Sequence, residues 1–304
     1  MICNFIRNPI LITEQISNNS SYTMDELRTA APTTSFFFQL YVNRDRAKSA
    51  ALLRQCNQNP NIKAIFVTVD AAWPGKREAD ERVKADETLS VPMAPSKAQN
   101  DKKGGGLGRV MAGFIDPGLT WEDLKWVKQH THKPVCLKGV MCADDALLAV
   151  RAGLDGILLS NHGGRNLDTS PPSIVTLLEI QRRCPEVFES LEVYVDSGIR
   201  RGTDVLKAVC LGATAVGMGR SVLFATNYGQ EGVEHLVDSK CLFVIDWVGF
   251  FANWLLSQSS KTNSKQPCAT SELHPWRKLP RISCTLVTST TSFRRPAHTH
   301  TLGP

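Results

Sequence analysis

The run Ser160-Asn161-His162-Gly163-Gly164-Arg165 gathers side chains able to do chemistry into six positions. An imidazole exchanges protons near neutral pH, and a guanidinium grips a carboxylate with two parallel hydrogen bonds. Paired glycines let backbone approach a flat ligand closely. The alternative is a loop histidine capping the next helix beside a solvated arginine. What precedes the run weighs against that alternative. Gly156-Ile157-Leu158-Leu159 reads as a buried parallel strand, so the histidine and arginine sit at a strand's carboxyl end.

Other strand-like runs end the same way. Phe36 to Val42 carries Gln39 and Tyr41, and Ala64 to Val69 turns polar at Thr68 and Asp70. Pro134 to Leu137 ends in Lys138-Gly139. Leu191 to Val195 ends in Asp196-Ser197-Gly198-Ile199-Arg200, and Ala213 to Gly217 in Met218-Gly219-Arg220. Between them lie helix-like stretches over 45–56, 143–152, 174–183 and 204–211. Strands alternating with helices at this spacing predict βαβ units and a parallel sheet. Polar residues recurring at the carboxyl ends of strands predict a TIM (β/α)8 barrel, whose binding face lies there. Thr23 with Glu26 and Thr120 with Asp123 have the spacing of capping boxes, marking two helix starts. The charged stretch from Arg77 to Gly104-Gly105-Gly106 has no period and reads as a mobile excursion; no GK[ST] follows its glycines, so it is not a phosphate loop.

The 304 residues are enough for one large domain. The formal net charge of +6 is confined to the tail: residues 239–304 hold 8 Lys/Arg and 2 Asp/Glu, leaving 27 of each sign before them. A neutral body argues against nucleic acid as a partner. Nine cysteines lack any metal spacing, so no metal site is expected, and their usage fits a reducing compartment. No secretory signal is read at the amino terminus, and a cytoplasmic location is expected, with mitochondrial or peroxisomal placement left open. The apolar stretch 241–256, broken by Asp246 and Asn253, is shorter than a membrane span. Beyond it Ser, Thr, Pro and basic residues predict disorder.

Taken together, FFFQLYVNRDR (36–46), TVDAAWPGKREAD (68–80), IDPGLTWEDL (115–124), LKGV (137–140), SNHGGRNLD (160–168), VDSGIRRGTDVLKA (195–208) and VGMGR (216–220) resemble the FMN-dependent 2-hydroxy-acid dehydrogenase/oxidase family, nearest its lactate-dehydrogenase branch. The resemblance implies an FMN-binding barrel over 15–238 that oxidises a small L-2-hydroxy acid to the 2-oxo acid. By it, His162 takes a proton from the substrate's 2-hydroxyl or 2-carbon, Asp70 orients the imidazole, and Lys138 stabilises negative charge on reduced FMN. Tyr41, Arg77 and Arg165 match substrate-binding residues. Ser20, Gln39, Thr68 and Ser160 match contacts to the flavin ring and ribityl chain. Asp196, Ser197, Gly198, Ile199, Arg200, Gly219 and Arg220 match the ribityl and phosphate site. Ser197 stands where the family usually has Gly, and its backbone donors should survive if its φ is negative. Oxygen or a separate cytochrome would reoxidise the flavin, and a homo-oligomer is compatible with the family.

The sequence departs from the family pattern at both ends. No counterpart of the family's first barrel strand is found; residues 1–14 are unassigned, and no His-Pro-Gly-Gly haem signature occurs. The closing helix stops near Val237-Asp238, where an unrelated tail over 239–304 begins. The expectation is therefore an incomplete barrel, and the competing reading is a truncated, inactive homologue. Related flavin or phosphate barrels, such as isopentenyl-diphosphate isomerase or inosinate dehydrogenase, are disfavoured by His162 and Arg165 with Asp70.

Overall fold

The computed structural model describes residues 13–73, 113–239 and 283–286, with a short hairpin and isolated positions between 75 and 100. The first three strands are β1 (Thr13–Ser17), β2 (Phe36–Leu40) and β3 (Ile62–Thr68), joined by helices α1 (Met24–Ala30) and α2 (Arg46–Gln58). An antiparallel hairpin, β4 (Ser90–Val91) with β5 (Ala94–Lys97), stands apart. The regular alternation then resumes with α3 (Trp121–His130), β6 (Val135–Val140), α4 (Ala143–Arg151), β7 (Gly156–Leu159), α5 (Ser173–Arg183) and the short α6 (Val187–Ser190). It continues through β8 (Glu192–Val195), α7 (Gly202–Cys210), β9 (Ala215–Met218) and α8 (Arg220–Ala225).

Local chemistry sets several of these boundaries. Both expected capping boxes form, Thr23 with Glu26 ahead of α1 and Thr120 with Asp123 ahead of α3. Each satisfies amide donors that have no partner inside the helix.

Seven parallel strands, from β1 to β9 without the hairpin, curl into the expected incomplete TIM barrel. The gap lies between β1 and β9, and β10 (Ser283–Leu286) fills it, pairing parallel with both. Four residues of the stretch read as a disordered tail are thus a strand. Most of that stretch, the apolar segment 241–256 included, lies outside the described residues, as does most of the excursion from Arg77 to Gly106.

Strand alternation divides the core in two, because successive side chains point to opposite faces. One set, including Ile16, Phe38, Leu40, Ile65, Val67, Leu137, Ile157, Leu159, Val193 and Val195, packs outward against the helices. The other set fills the barrel: Ala64, Phe66, Cys136 and Leu158, with Phe37 and Tyr194 against them. Phe37 and Phe66 ring centroids are 4.9 Å apart, and Tyr194 meets Phe66 edge-on at 5.5 Å. These rings form the barrel floor. Two residues further along each strand, the same inward face turns polar: Phe37 gives way to Gln39, Phe66 to Thr68, Cys136 to Lys138, Leu158 to Ser160 and Tyr194 to Asp196. An apolar floor under a polar mouth is what this period of two builds. Among the described residues no helix is long and apolar enough to cross a membrane.

Candidate active site

Above the floor opens a cavity of about 420 Å³, within the usual range for small-molecule sites. His162 and Lys138 line it, and Asp70 stands behind them. His162 Nδ1 lies 2.9 Å from Asp70 Oδ1, and Lys138 Nζ lies 3.5 Å from Asp70 Oδ2 and 3.1 Å from Ser160 Oγ. The side chains of Asp70 and Lys138 are only 10% and 7% exposed, so water screens this pair weakly. Gly139 makes the approach feasible. Its φ is +110°, and a Cβ there would fall 2.6 Å from Asp70 Cβ. Asn166 Nδ2 donates to the Asp70 carbonyl at 2.7 Å and fixes the backbone behind the carboxylate.

The electrostatics set the three groups apart. Burial pushes the Asp70 carboxyl up, but Lys138 and the His162 hydrogen bond outweigh it and hold its pKa below the usual range. Burial works against the Lys138 ammonium, yet the carboxylates of Asp70 and Asp196 overcome it and raise its pKa. For His162, burial and the Lys138 charge lower the pKa, and Asp70 and Asp196 only partly oppose them. His162 is therefore neutral at pH 7. With Asp70 ionised, the hydrogen-bond network assigns the ring proton to Nδ1 and leaves Nε2 as the basic nitrogen.

His162 sits on a tight turn with φ of +57°, followed by Gly163 and Gly164 at +68° and +72°. His162 N donates to Ser160 Oγ, Gly164 N to Asn161 Oδ1, and Arg220 Nη2 to the Gly163 carbonyl at 2.7 Å. A side chain on Gly163 would meet that guanidinium at 2.7 Å.

The strand-end residues converge as the motifs imply. Tyr41, Gln39 and Arg165 line the cavity, with Asp196, Ser197, Gly198, Ile199, Arg200, Gly219 and Arg220 round its other side. Thr68, Ser160 and Ser20 are not among the residues that line this cavity. Thr68 Oγ1 accepts from Gln39 Nε2 at 2.8 Å, and Ser160 Oγ accepts from Lys138. Ser20, fully buried, accepts from the Tyr22 amide. The Thr68 and Ser160 hydroxyls thus support Gln39 and Lys138, which reach the cavity. Arg77 lies outside the described residues. Ser197 does not meet the condition set for it: its φ is +69°. The sequence reading missed Gln15, Ser17, Met218, Ser221 and Phe224 on the wall. Gln15 and Thr13 are buried polar residues on one face of a strand, and that alternation was the available signal. Among the described residues no group of His, Cys, Asp or Glu could hold a metal.

Residues 11–239 match the model of a protein family described as FMN-dependent dehydrogenase. The chain belongs to that family. This FMN-dependent dehydrogenase relative is 42% identical over 234 residues to L-lactate dehydrogenase (cytochrome) of Saccharomyces cerevisiae, covering 75% of this chain and 39% of that one. It is 38% identical to human 2-hydroxyacid oxidase 1, covering 73% and 62%. Among solved structures, mandelate oxidase with (S)-4-hydroxymandelic acid superposes with a TM-score of 0.69 at 36% identity, covering 78% of this chain and 66% of that one. The recombinant flavin-binding domain of baker's yeast flavocytochrome b2 gives 0.64 at 38%, covering 76% and 55%. The chain thus spans between two fifths and two thirds of the lengths of these relatives.

Proposed function

We propose that this chain oxidises a small L-2-hydroxy acid, lactate-like or glycolate-like, to its 2-oxo acid with FMN as the electron acceptor. The observation that carries this reading is a neutral histidine, tied through Nδ1 to an ionised aspartate, on the wall of a cavity whose other charges are mostly positive. Lys138, Arg165, Arg200 and Arg220 line that wall against the single carboxylate Asp196. Such a surplus suits two anions, a phosphate monoester and a substrate carboxylate.

The residues present fit FMN. Gln15 Oε1 is buried without a hydrogen-bond partner, an acceptor that a ring N–H would satisfy. Lys138 lies where a fixed cation would stabilise negative charge on a reduced ring. Arg200 and Arg220, with the backbone of Ser197 to Ile199 and of Gly219, would hold the ribityl phosphate. FMN supplies the two-electron acceptor when bound.

The protein's part is binding and proton transfer. Arg165 pairs with the substrate carboxylate, and the Tyr41 hydroxyl hydrogen-bonds the substrate. His162 Nε2 takes a proton from the 2-hydroxyl or the 2-carbon as the substrate loses two electrons. Asp70 then carries the charge balance, stabilising the imidazolium and keeping the ring aimed. Support for the hydroxy-acid class comes from the relatives' names, L-lactate dehydrogenase and 2-hydroxyacid oxidase. Oxygen or a separate cytochrome would reoxidise the flavin.

Purified protein tests the reading directly. A yellow solution with flavin absorbance, bleached anaerobically by L-lactate or glycolate, is expected. His162→Gln should keep the colour and slow bleaching by on the order of 10²–10⁴-fold, the worth of a general base. A colourless protein would favour the inactive-homologue reading, and unchanged bleaching in the variant would remove His162 from its role.

A further inference from the structure

We infer that Ser197 is a positioning residue whose hydroxyl ties the loop after β8 to the turn that carries His162; the inference rests on the reading of His162 as the base. Ser197 Oγ donates to Asp196 Oδ1 at 2.6 Å and accepts from Gly163 N at 2.9 Å. The hydroxyl is thereby committed to protein groups on both sides rather than to the cavity.

The turn explains what the tie does. His162, Gly163 and Gly164 all have left-handed backbone, a run that a residue with a side chain resists. Each of their three amides donates to a side-chain oxygen. Two of the acceptors, Ser160 and Asn161, belong to the same strand end. Ser197 is the acceptor that comes from a different strand, 34 residues away. Together with Arg220 on the Gly163 carbonyl, it holds both backbone polar groups of Gly163, the residue after His162. The direction of the His162 ring, and so its 2.9 Å bond to Asp70, depends on that turn.

Ser197 is itself in the left-handed region, at φ +69°. Strained backbone persists where surrounding bonds over-determine it, and here both hydroxyl bonds serve that end. A glycine would take this backbone without strain but would leave the Gly163 amide without this acceptor. Relief of strain and loss of the bridge therefore separate in two variants. Ser197→Ala keeps the strained Cβ and loses the hydroxyl; Ser197→Gly loses both.

The test compares the full chain with these two variants. In both, exchange of the Gly163 amide with solvent should quicken roughly fivefold or more, the worth of one ordinary hydrogen bond. In both, the proton resonance of His162 Nδ1–H should shift or broaden, although Ser197→Gly should be the more stable of the two. These readouts do not require bound flavin. In the loaded enzyme, kcat should fall about three- to tenfold with substrate KM held within about twofold, because orientation of the base and not binding is lost. Wild-type exchange, resonance and kcat in Ser197→Gly would overturn the inference. A colourless wild-type protein would instead count against the hydroxy-acid reading, while the exchange and resonance measurements still decide the bridge.

Discussion

At the scale of the residue, the decisive arrangement is one carboxylate serving an ammonium and an imidazole. Asp70 holds the Lys138 ammonium and the His162 Nδ1–H at once, and its low pKa keeps it ionised for both. His162 must be neutral to accept a proton, and its pKa lies below its ordinary 6.5. The acid limb of kcat/KM should therefore fall at a pH below 6.5, with activity lost as pH drops through the His162 pKa. Asp70→Asn removes a group that raises that pKa, so the limb should move further toward acid. The variant should also lose about 10²-fold in kcat as the ring's tautomer and aim are freed. A pH–rate profile of both proteins checks the sign, and a limb moving toward neutrality would contradict the assignment. His162 and Asp70 were legible in the sequence, because each ends an apolar strand and sits in a motif. The bonds made by the Ser197 hydroxyl were not, because a hydroxyl's partners across 34 residues depend on where two loops meet.

The element that matters most is the strand with a period of two. Its inward face runs from an apolar or aromatic side chain to a polar one, and this one pattern supplies both the floor and the mouth of the barrel. Phe66 occupies the centre of the floor, 1% exposed and in contact with Phe37 and Tyr194. Phe66→Ala should cost roughly 3–5 kcal/mol, read as a lower urea midpoint. It should also weaken flavin binding, because the polar layer rests on the rings. A loss under about 1 kcal/mol would mean that the floor collapses to refill the space. Strand existence was readable from apolar runs and helix starts from capping boxes, whereas β1 was harder. The run Ile10-Leu11-Ile12-Thr13 toward Ile16 offers the start of a strand, but Thr13, Gln15 and Ser17 are polar where burial on both faces normally selects apolar residues.

At the scale of the whole molecule, closure of the barrel is the central issue. Without β10, β1 and β9 would each present an unpaired backbone edge, a template for aggregation. Ser283–Leu286 pairs with both, although it lies far from them in the chain and outside the region matched to the family. Thr285→Pro removes an amide from that ladder and should destabilise the protein by about 1–3 kcal/mol, the cost of leaving a buried partner unpaired, with visible aggregation on mild heating. Unchanged thermal unfolding would show that the seven strands from the family-matched region suffice. The reading of 239–304 as disordered passed over this strand, although Ile282, Cys284 and Leu286 alternate with Ser283 and Thr285; so short an alternation stands out only beside the strands it pairs with.

The amino-acid sequence by itself determined the barrel class, the strand–helix alternation that resumes at β6 and runs to β9, and the polar side chains that stand at the strand ends. Those follow from local rules: apolar period, caps, and polar residues at strand ends. Only the tertiary structure decided which hydroxyls face the cavity and which stand behind it, how Ser197 reaches Gly163, and what occupies the place beside β1. Each of these depends on contacts between segments far apart in the chain, and a local pattern carries no record of the distance between them.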